Sequence, residues 1–351
     1  MNITNSSSTA TATSLYIFFI DSSVMNYVVT INALICSELI GLLGIVANII
    51  NIFNFKRQGF QDGVNVTLFS LALCDTGALL AQQLSNILIS PWVGEYDLFM
   101  LKSHLFVLTF YVNGYFIRVS GVLTSFLTFE RCLCVVWPLK VKRVLTTRTA
   151  IVVNTVTASV FILYLVPPFS VTTIDWMLVP TLNKSILALQ FKSNRHSVMT
   201  IYYFIADQFV PYATILLLIL CTITIVTKLR SKLKWRQSTS SAGGGASGSV
   251  TNKEGKVVTM LINISVIFII CLLPQSTLNT AMGFVPGLKV DGVYFNIFKL
   301  CYSFTSLLET VNCSVSILVY YKMSTKYRQE FWTLFHPLTC IKNLSLRFFK
   351  I

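Results

Sequence analysis

The chain has 351 residues, of which 54% are hydrophobic and only 11% charged, and its formal net charge is +14. Soluble domains carry about 25% charged residues, so a water-soluble globule would lack the polar surface to cover this much apolar side chain. The basic residues sit in short stretches between apolar runs, which argues against nucleic acid as their partner and for membrane lipid.

A helix needs about 20 apolar residues to cross a bilayer. Seven segments meet that length, near 30–55, 66–90, 103–136, 148–170, 198–228, 256–285 and 292–321. Nineteen of the 27 Lys and Arg residues fall in the stretches 56–65, 137–149 and 228–256 and in the tail from Lys322 onward. The positive-inside rule makes that side cytoplasmic and the N-terminus extracellular, in a multi-pass protein of the plasma membrane. The expected architecture is an all-α membrane protein. It comprises an N-terminal tail (1–29), a seven-helix bundle (30–321) with a third inner loop near 229–255, and an amphipathic helix with the tail (322–351).

In chain order, the first 30 residues contain no Lys or Arg, which argues against a cleaved signal peptide. Asn2 and Asn5 open sequons there, and Asn183 opens one in the second outer loop, so all three are glycosylation candidates on the outer side. Segment one holds Asn48, an amide that needs a partner across a helix interface. Segment two holds Leu71-Ala-Leu-Cys-Asp75, a carboxylate near mid-bilayer, where ionisable groups are expensive and mark function by default. It reads either as part of a structural polar network or as a cation site.

In segment three, helical spacing places Asn113, Ser120 and Arg131 on one face. Arg118 lies on another face, about 20 Å above Arg131 at 1.5 Å per residue. It needs an anion, and Asp207 of segment five and Glu309 of segment seven are the candidates. An internal Arg118–Asp207 pair and a ligand held by these charges both remain open. Segment three closes on Glu130-Arg131-Cys132, with Pro138 seven residues on, so a carboxylate–guanidinium pair stands where lipid meets cytosol.

Segment four ends at Pro167-Pro168. The second outer loop, about 171–197, is polar and contains no cysteine. Segment five carries Tyr203, Asp207 and Pro211 and should run into water as far as Arg236. The stretch 238–249, rich in Gly and Ser, reads as a flexible linker. Segment six has Phe268 and Pro274, and proline inside a membrane helix makes a kink that can act as a pivot. Segment seven has Glu309, Asn312, Ser316 and Tyr320. Beyond it, Tyr327, Phe331 and Phe335 recur every four residues on one side of a short helix, and Cys340 after Pro337 is a palmitoylation candidate. The nine cysteines fit neither a zinc site nor a disulfide scaffold, and a Cys36–Cys301 bridge is the one pairing their positions suggest.

Taken together, the ordered set from Asn48 through Asp75, Glu130-Arg131-Cys132, Pro211, Cys271-Leu-Leu-Pro274 and Tyr320 resembles the rhodopsin-like (class A) G-protein-coupled receptors over residues 30–340. The stretch from Phe129 to Lys140 is similar to the molluscan chemosensory group, with neuropeptide receptors as the nearest rival. The resemblance implies an extracellular small-molecule or peptide ligand and a heterotrimeric G protein as partners. It makes Glu130, Arg131, Pro138 and Tyr320 the G-protein switch. It makes Asp75, Ser120, Asn312 and Ser316 a sodium-type pocket, the only cofactor it suggests. Asn113, Arg118, Tyr203, Asp207 and Glu309 form the candidate ligand site, and Pro211, Phe268 and Pro274 the pivots. Asn113 stands where amine receptors carry aspartate, so the charges suit an amino acid, a small acid or a short peptide better than an amine.

The chain also departs from the family. Phe106 replaces the cysteine of the outer disulfide, Leu272 the tryptophan of segment six and Ile219 the tyrosine of segment five, while Ser316-Ile317 replaces Asn-Pro before Tyr320. A transporter or channel is the second class, but no inverted repeat or pair of broken helices appears. Three scattered histidines and no nucleophile–base spacing argue against an enzyme.

Overall fold

The computed structural model describes residues 22–334 except 91–92, 95–96, 138–140, 142–144, 181–182, 240–247, 286 and 289–292. Asn2, Asn5, Pro138 and Cys340 lie outside the described residues. Helix α1 comprises Ser22–Thr30, a π-helical stretch Ile31–Ser37 and Glu38–Gln58. Helices α2 (Gly63–Ile89), α3 (Lys102–Val136) and α4 (Thr147–Ser170) follow. Strands β1 (Thr172–Val179) and β2 (Lys184–Phe191) form an antiparallel hairpin. Helix α5 comprises Arg195–Tyr202, a π-helical stretch Tyr203–Phe209 and Val210–Thr239. Helices α6 (Gly248–Phe284), α7 (Phe295–Met323) and α8 (325–334) complete the chain.

Six helices, α1 to α6, are long and apolar enough to cross a membrane. The seventh expected span is α7, of adequate length but more polar. Its Ser303, Thr305, Ser306, Thr310 and Ser316 are buried, so this polarity faces neighbouring helices. Burial ranks the helices. The most apolar windows of α2 and α3 are 61% and 56% buried, against 17% and 22% for α4 and α5, so α2 and α3 form the interior.

Local chemistry sets the helix ends. Gly59 takes φ +81° after α1, a backbone region where a side chain would be strained. Asn65 then donates to the carbonyls of Phe55 (2.9 Å) and Gly59, binding α2 to the turn. Asp62 caps α2 by accepting from the Val64 N–H (3.2 Å), and Thr146 caps α4 by accepting from the Thr149 N–H (3.3 Å).

The structure refines the sequence reading at several points. Helix α4 runs two residues past Pro168 to Ser170; the Ser170 hydroxyl donates to the Pro167 carbonyl (2.8 Å). The expected second outer loop folds as a hairpin, with Asn183 exposed at its turn at φ +46°, a conformation asparagine tolerates. Helix α5 continues past the span to Arg236, as expected, and three residues further to Thr239, while α6 begins already at Gly248, so the ends of the expected linker belong to helices. Cys36 and Cys301 are both free thiols.

The hairpin is held without the family's disulfide. Leu101 N–H donates to Leu187 O (3.1 Å), Leu187 N–H to Phe99 O (3.3 Å), and Leu189 N–H to His104 Nδ1 (3.0 Å). Leu101, Val179, Ile186 and Ala188 close a small apolar cluster beneath it. At the opposite end α8 docks through Tyr327, 1% exposed, whose ring lies 5.7 Å from both Phe55 and Tyr320. Its hydroxyl donates to Asn51 Oδ1 (2.5 Å). Tyr327→Phe should cost about 1 kcal/mol, the hydrogen bond alone. Tyr327→Ala should cost about 3–5 kcal/mol, because the cavity is added. Thermal melting of the detergent-purified variants separates the two.

Candidate functional site

The outer half of the bundle encloses a cavity of about 60 Å³ between α3, α5, α6 and α7. Asn113, Arg118, Pro211, Phe268 and Glu309 line it, so five of the residues singled out from the sequence meet at one place. Tyr203 is 39% exposed and packs on Tyr202 (5.4 Å between ring centres), and it is not among the lining residues. Asp207 acts one step back, through Arg118.

How α5 receives Arg118 follows from its backbone. In the π-helical stretch Tyr203–Phe209 the Val210 N–H donates to Ile205 O rather than to Ala206 O. The donor that would serve Ala206 O in this register belongs to residue 211, a proline without an N–H. The stranded carbonyl accepts from Arg118 Nε at 2.8 Å. Arg118 Nη1 donates to Gly114 O (2.9 Å), Nη2 pairs with Asp207, and the guanidinium lies 4.6 Å from the centre of the Tyr164 ring. The Arg118 and Asp207 side chains are 10% and 6% exposed. A buried charge left unpaired is costly, so this knot ties α3 to α5.

Glu309 is placed differently. It lines the cavity and has no hydrogen-bond or ion-pair partner among the described residues. Across the cavity, Gln275 Nε2 donates to Asn279 Oδ1 (3.0 Å), while Gln275 Oε1 is buried and unpartnered among the described residues. Asn113 donates to Gln82 Oε1 (2.7 Å), and Gln82 donates on to Asn86 (2.9 Å), which donates to Ser37 Oγ (2.9 Å). Ser37 meets Thr310 (2.9 Å). A buried polar chain thus runs from the cavity wall across α2 and α1 to α7.

Beneath lies a smaller cavity of about 20 Å³, lined by Asp75, Ser120, Asn312 and Ser316 among others. Ser120 Oγ donates to Asp75 Oδ1 (2.9 Å), and Asn51 Nδ2 donates to Ser316 Oγ (3.3 Å). One carboxylate with hydroxyl and amide oxygens is an all-oxygen donor set of the kind hard cations take. Phe268 lines both cavities and is the partition between them. Gly121 makes room for it, since a Cβ there would meet Phe268 Cζ at 3.0 Å.

At the C-terminal end of α3, Arg131 Nη2 lies 3.3 Å from Glu130 Oε1 and 4.0 Å from Asp62 Oδ1. Glu130 Oε2 and Arg131 Nε are buried without hydrogen-bond partners among the described residues. Tyr320 packs in an apolar cluster with Phe55, Leu127 and Met260. Pro274 lies inside α6, two residues past Leu272 of the cavity wall.

Sequence reasoning missed Asp62, Gly121, Gln82 and Gln275. Asp62 stands directly before an apolar run, which is an N-cap signal. Gly121 is an isolated glycine inside a span, where close packing is the usual cause. The two glutamines are polar residues inside spans, a signal the sequence did carry.

The Arg118–Asp207 pair makes a stability prediction. Asp207→Asn should destabilise the protein by about 3–5 kcal/mol through the charge it strands, and a double Arg118→Met, Asp207→Leu variant should recover most of that. Melting temperature and delivery to the cell surface report both, and an unchanged melt for Asp207→Asn would show that the pair does not hold the helices.

Two comparisons bear on kinship. A Drosophila melanogaster protein named FMRFamide receptor is 24% identical over 311 residues, 85% of this chain and 52% of its own length. The chain therefore spans about half the length of that curated relative. The family described as serpentine type 7TM GPCR chemoreceptor Srw matches residues 35–337, most of the chain and all seven bundle helices, and the chain belongs to that family.

Proposed function

We propose that this chain is a rhodopsin-like receptor of the plasma membrane, with its N-terminus outside and C-terminus inside. It binds an extracellular ligand in the cavity lined by Glu309 and activates a heterotrimeric G protein. The family description favours a chemosensory cue, and similarity of the stretch from Phe129 to Lys140 to molluscan chemosensory receptors supports the same choice. The relative's name favours a second reading, a peptide of the FMRFamide type.

The observation that carries the proposal is the stacking of three layers along α3. The ligand cavity lies above Phe268, the Asp75–Ser120 cavity below it, and the Glu130–Arg131–Asp62 cluster at the cytoplasmic end. A ligand that binds better when Phe268 is displaced shifts the population toward that arrangement. Helix α6 swings about Pro274, and Arg131 leaves Glu130 and Asp62 for the G protein. The unmet polar atoms of Glu130 and Arg131 favour such an exchange of partners, because a buried polar group without a partner carries a desolvation cost. A sodium ion beside Asp75 would hold the resting state, and the exposed Asn183 is a glycan site. Tyr320, in the apolar cluster between α1 and α7, is proposed to join the switch only after α6 has moved.

Guanine-nucleotide exchange on purified G protein, with the receptor in lipid nanodiscs, tests this reading. Arg131→Ala should abolish exchange. Glu130→Gln and Asp62→Ala should each raise the basal rate several-fold, as expected for loss of about 1 kcal/mol of resting-state bias. Unchanged exchange with Arg131→Ala would remove the switch from Arg131.

A further inference from the structure

We infer that the outer cavity takes its ligand by a cationic group, an ammonium or a guanidinium, with Glu309 of α7 as its counter-ion. This rests on the reading of that cavity as the ligand site and adds the chemical class of the ligand.

The argument is a balance of charge and hydrogen-bonding capacity. Two charged side chains line the cavity, Arg118 and Glu309. Arg118 is neutralised by Asp207, and its Nε and Nη1 donate to the carbonyls of Ala206 and Gly114. An anionic ligand must therefore compete with a buried carboxylate already in place. Glu309 also feels the charge of Arg118, but that charge is already met by Asp207, so one guanidinium faces two carboxylates and the balance of the wall is negative.

The neutral groups agree in sign. Gln275 Oε1 is an unmet acceptor in a residue that lines the cavity, and its amide nitrogen is occupied by Asn279. Asn113 donates one of its two amide hydrogens to Gln82. The buried side-chain atom of the lining that lacks a partner among the described residues and can only accept is thus Gln275 Oε1. Phe110 and Tyr302 add aromatic faces, their rings 6.3 Å apart, and aromatic faces attract cations.

Charge-selective alkylation measures this without a known ligand. In the purified full chain, Thr214→Cys places a thiol in the cavity wall, with the unsubstituted protein as background. The probes are the 2-(trimethylammonium)ethyl and 2-sulfonatoethyl methanethiosulfonates. The cationic probe should react faster by about tenfold or more relative to the same ratio on free cysteine, as expected for one nearby unit charge at low effective dielectric. Glu309→Gln should bring the ratio down to that of free cysteine, while Glu309→Asp should keep it. Gln275→Lys, which adds a positive charge to the same wall, should also lower it and stands in if Glu309→Gln does not fold. Equal rates, a faster anionic probe, no reaction with either, or a ratio indifferent to these substitutions would overturn the inference. Nucleotide exchange is not read here, so failed coupling with a preserved ratio would remove the signalling proposal and leave the cavity's charge standing.

Discussion

The bundle depends on how an arginine is kept in a place that excludes water. Arg118 enters the apolar interior of α3, where an uncompensated guanidinium is among the costliest groups a helix can carry. Compensation comes from two sources on α5, the Asp207 carboxylate and the Ala206 carbonyl. The second exists only because Pro211 cannot donate and the π-helical turn before it shifts the hydrogen-bond register. Charge, proline and helix register are therefore one device. Its result is an α3–α5 contact fixed in depth and rotation, and that contact shapes one wall of the outer cavity.

This accounts for what could be read in the chain beforehand and what could not. The spans were legible because lipid demands apolar length. That Arg118 needed an anion followed from dielectric cost alone, and Asp207 was one of two candidates. The choice between Asp207 and Glu309 was not legible, since it turned on a π-helical register that no side-chain periodicity announces. The hairpin was hidden for a related reason. Strands Thr172–Val179 and Lys184–Phe191 expose most of one strand, so the alternation of apolar and polar residues is weak. The roles of Gly121 and Gln275 arise from contacts between helices far apart in sequence.

The departures from the family pattern have local explanations in the packing. Ile317, where the family has proline, lets α7 run unbroken from Phe295 to Met323 and places its side chain against the inner apolar cluster. Asn48 donates to the Cys313 carbonyl (2.7 Å), four residues earlier, so that carbonyl is anchored to α1. Leu272, where an indole is usual, lines the outer cavity beside Phe268, and a smaller side chain leaves more room for a ligand. The outer disulfide is replaced by backbone hydrogen bonds and a contact to His104.

The distribution of polar contacts then says which part of the bundle can move. Helices α1, α2 and α7 are joined by buried amides and hydroxyls: Asn48 to Cys313 O, Asn51 to Ser316, Asn86 to Ser37, Ser37 to Thr310. Asp75 and Ser120 join α2 to α3. Each such bond within a membrane is worth about 0.6 kcal/mol on average, so this side opens only if several break together. Among the described residues, α6 is joined to its neighbours by Ser265 with Thr128 (2.8 Å), by Tyr212 with Thr280 (3.0 Å) and the Ser276 carbonyl (3.4 Å), and by apolar packing of Phe268 and Leu272 on Leu218. Apolar packing has little directional preference and tolerates sliding. A bundle with three helices bonded by directional contacts and one held with fewer of them supports the proposal that α6 is the part that moves. Pro274 lies in that helix, six residues past Phe268, the partition between the two cavities.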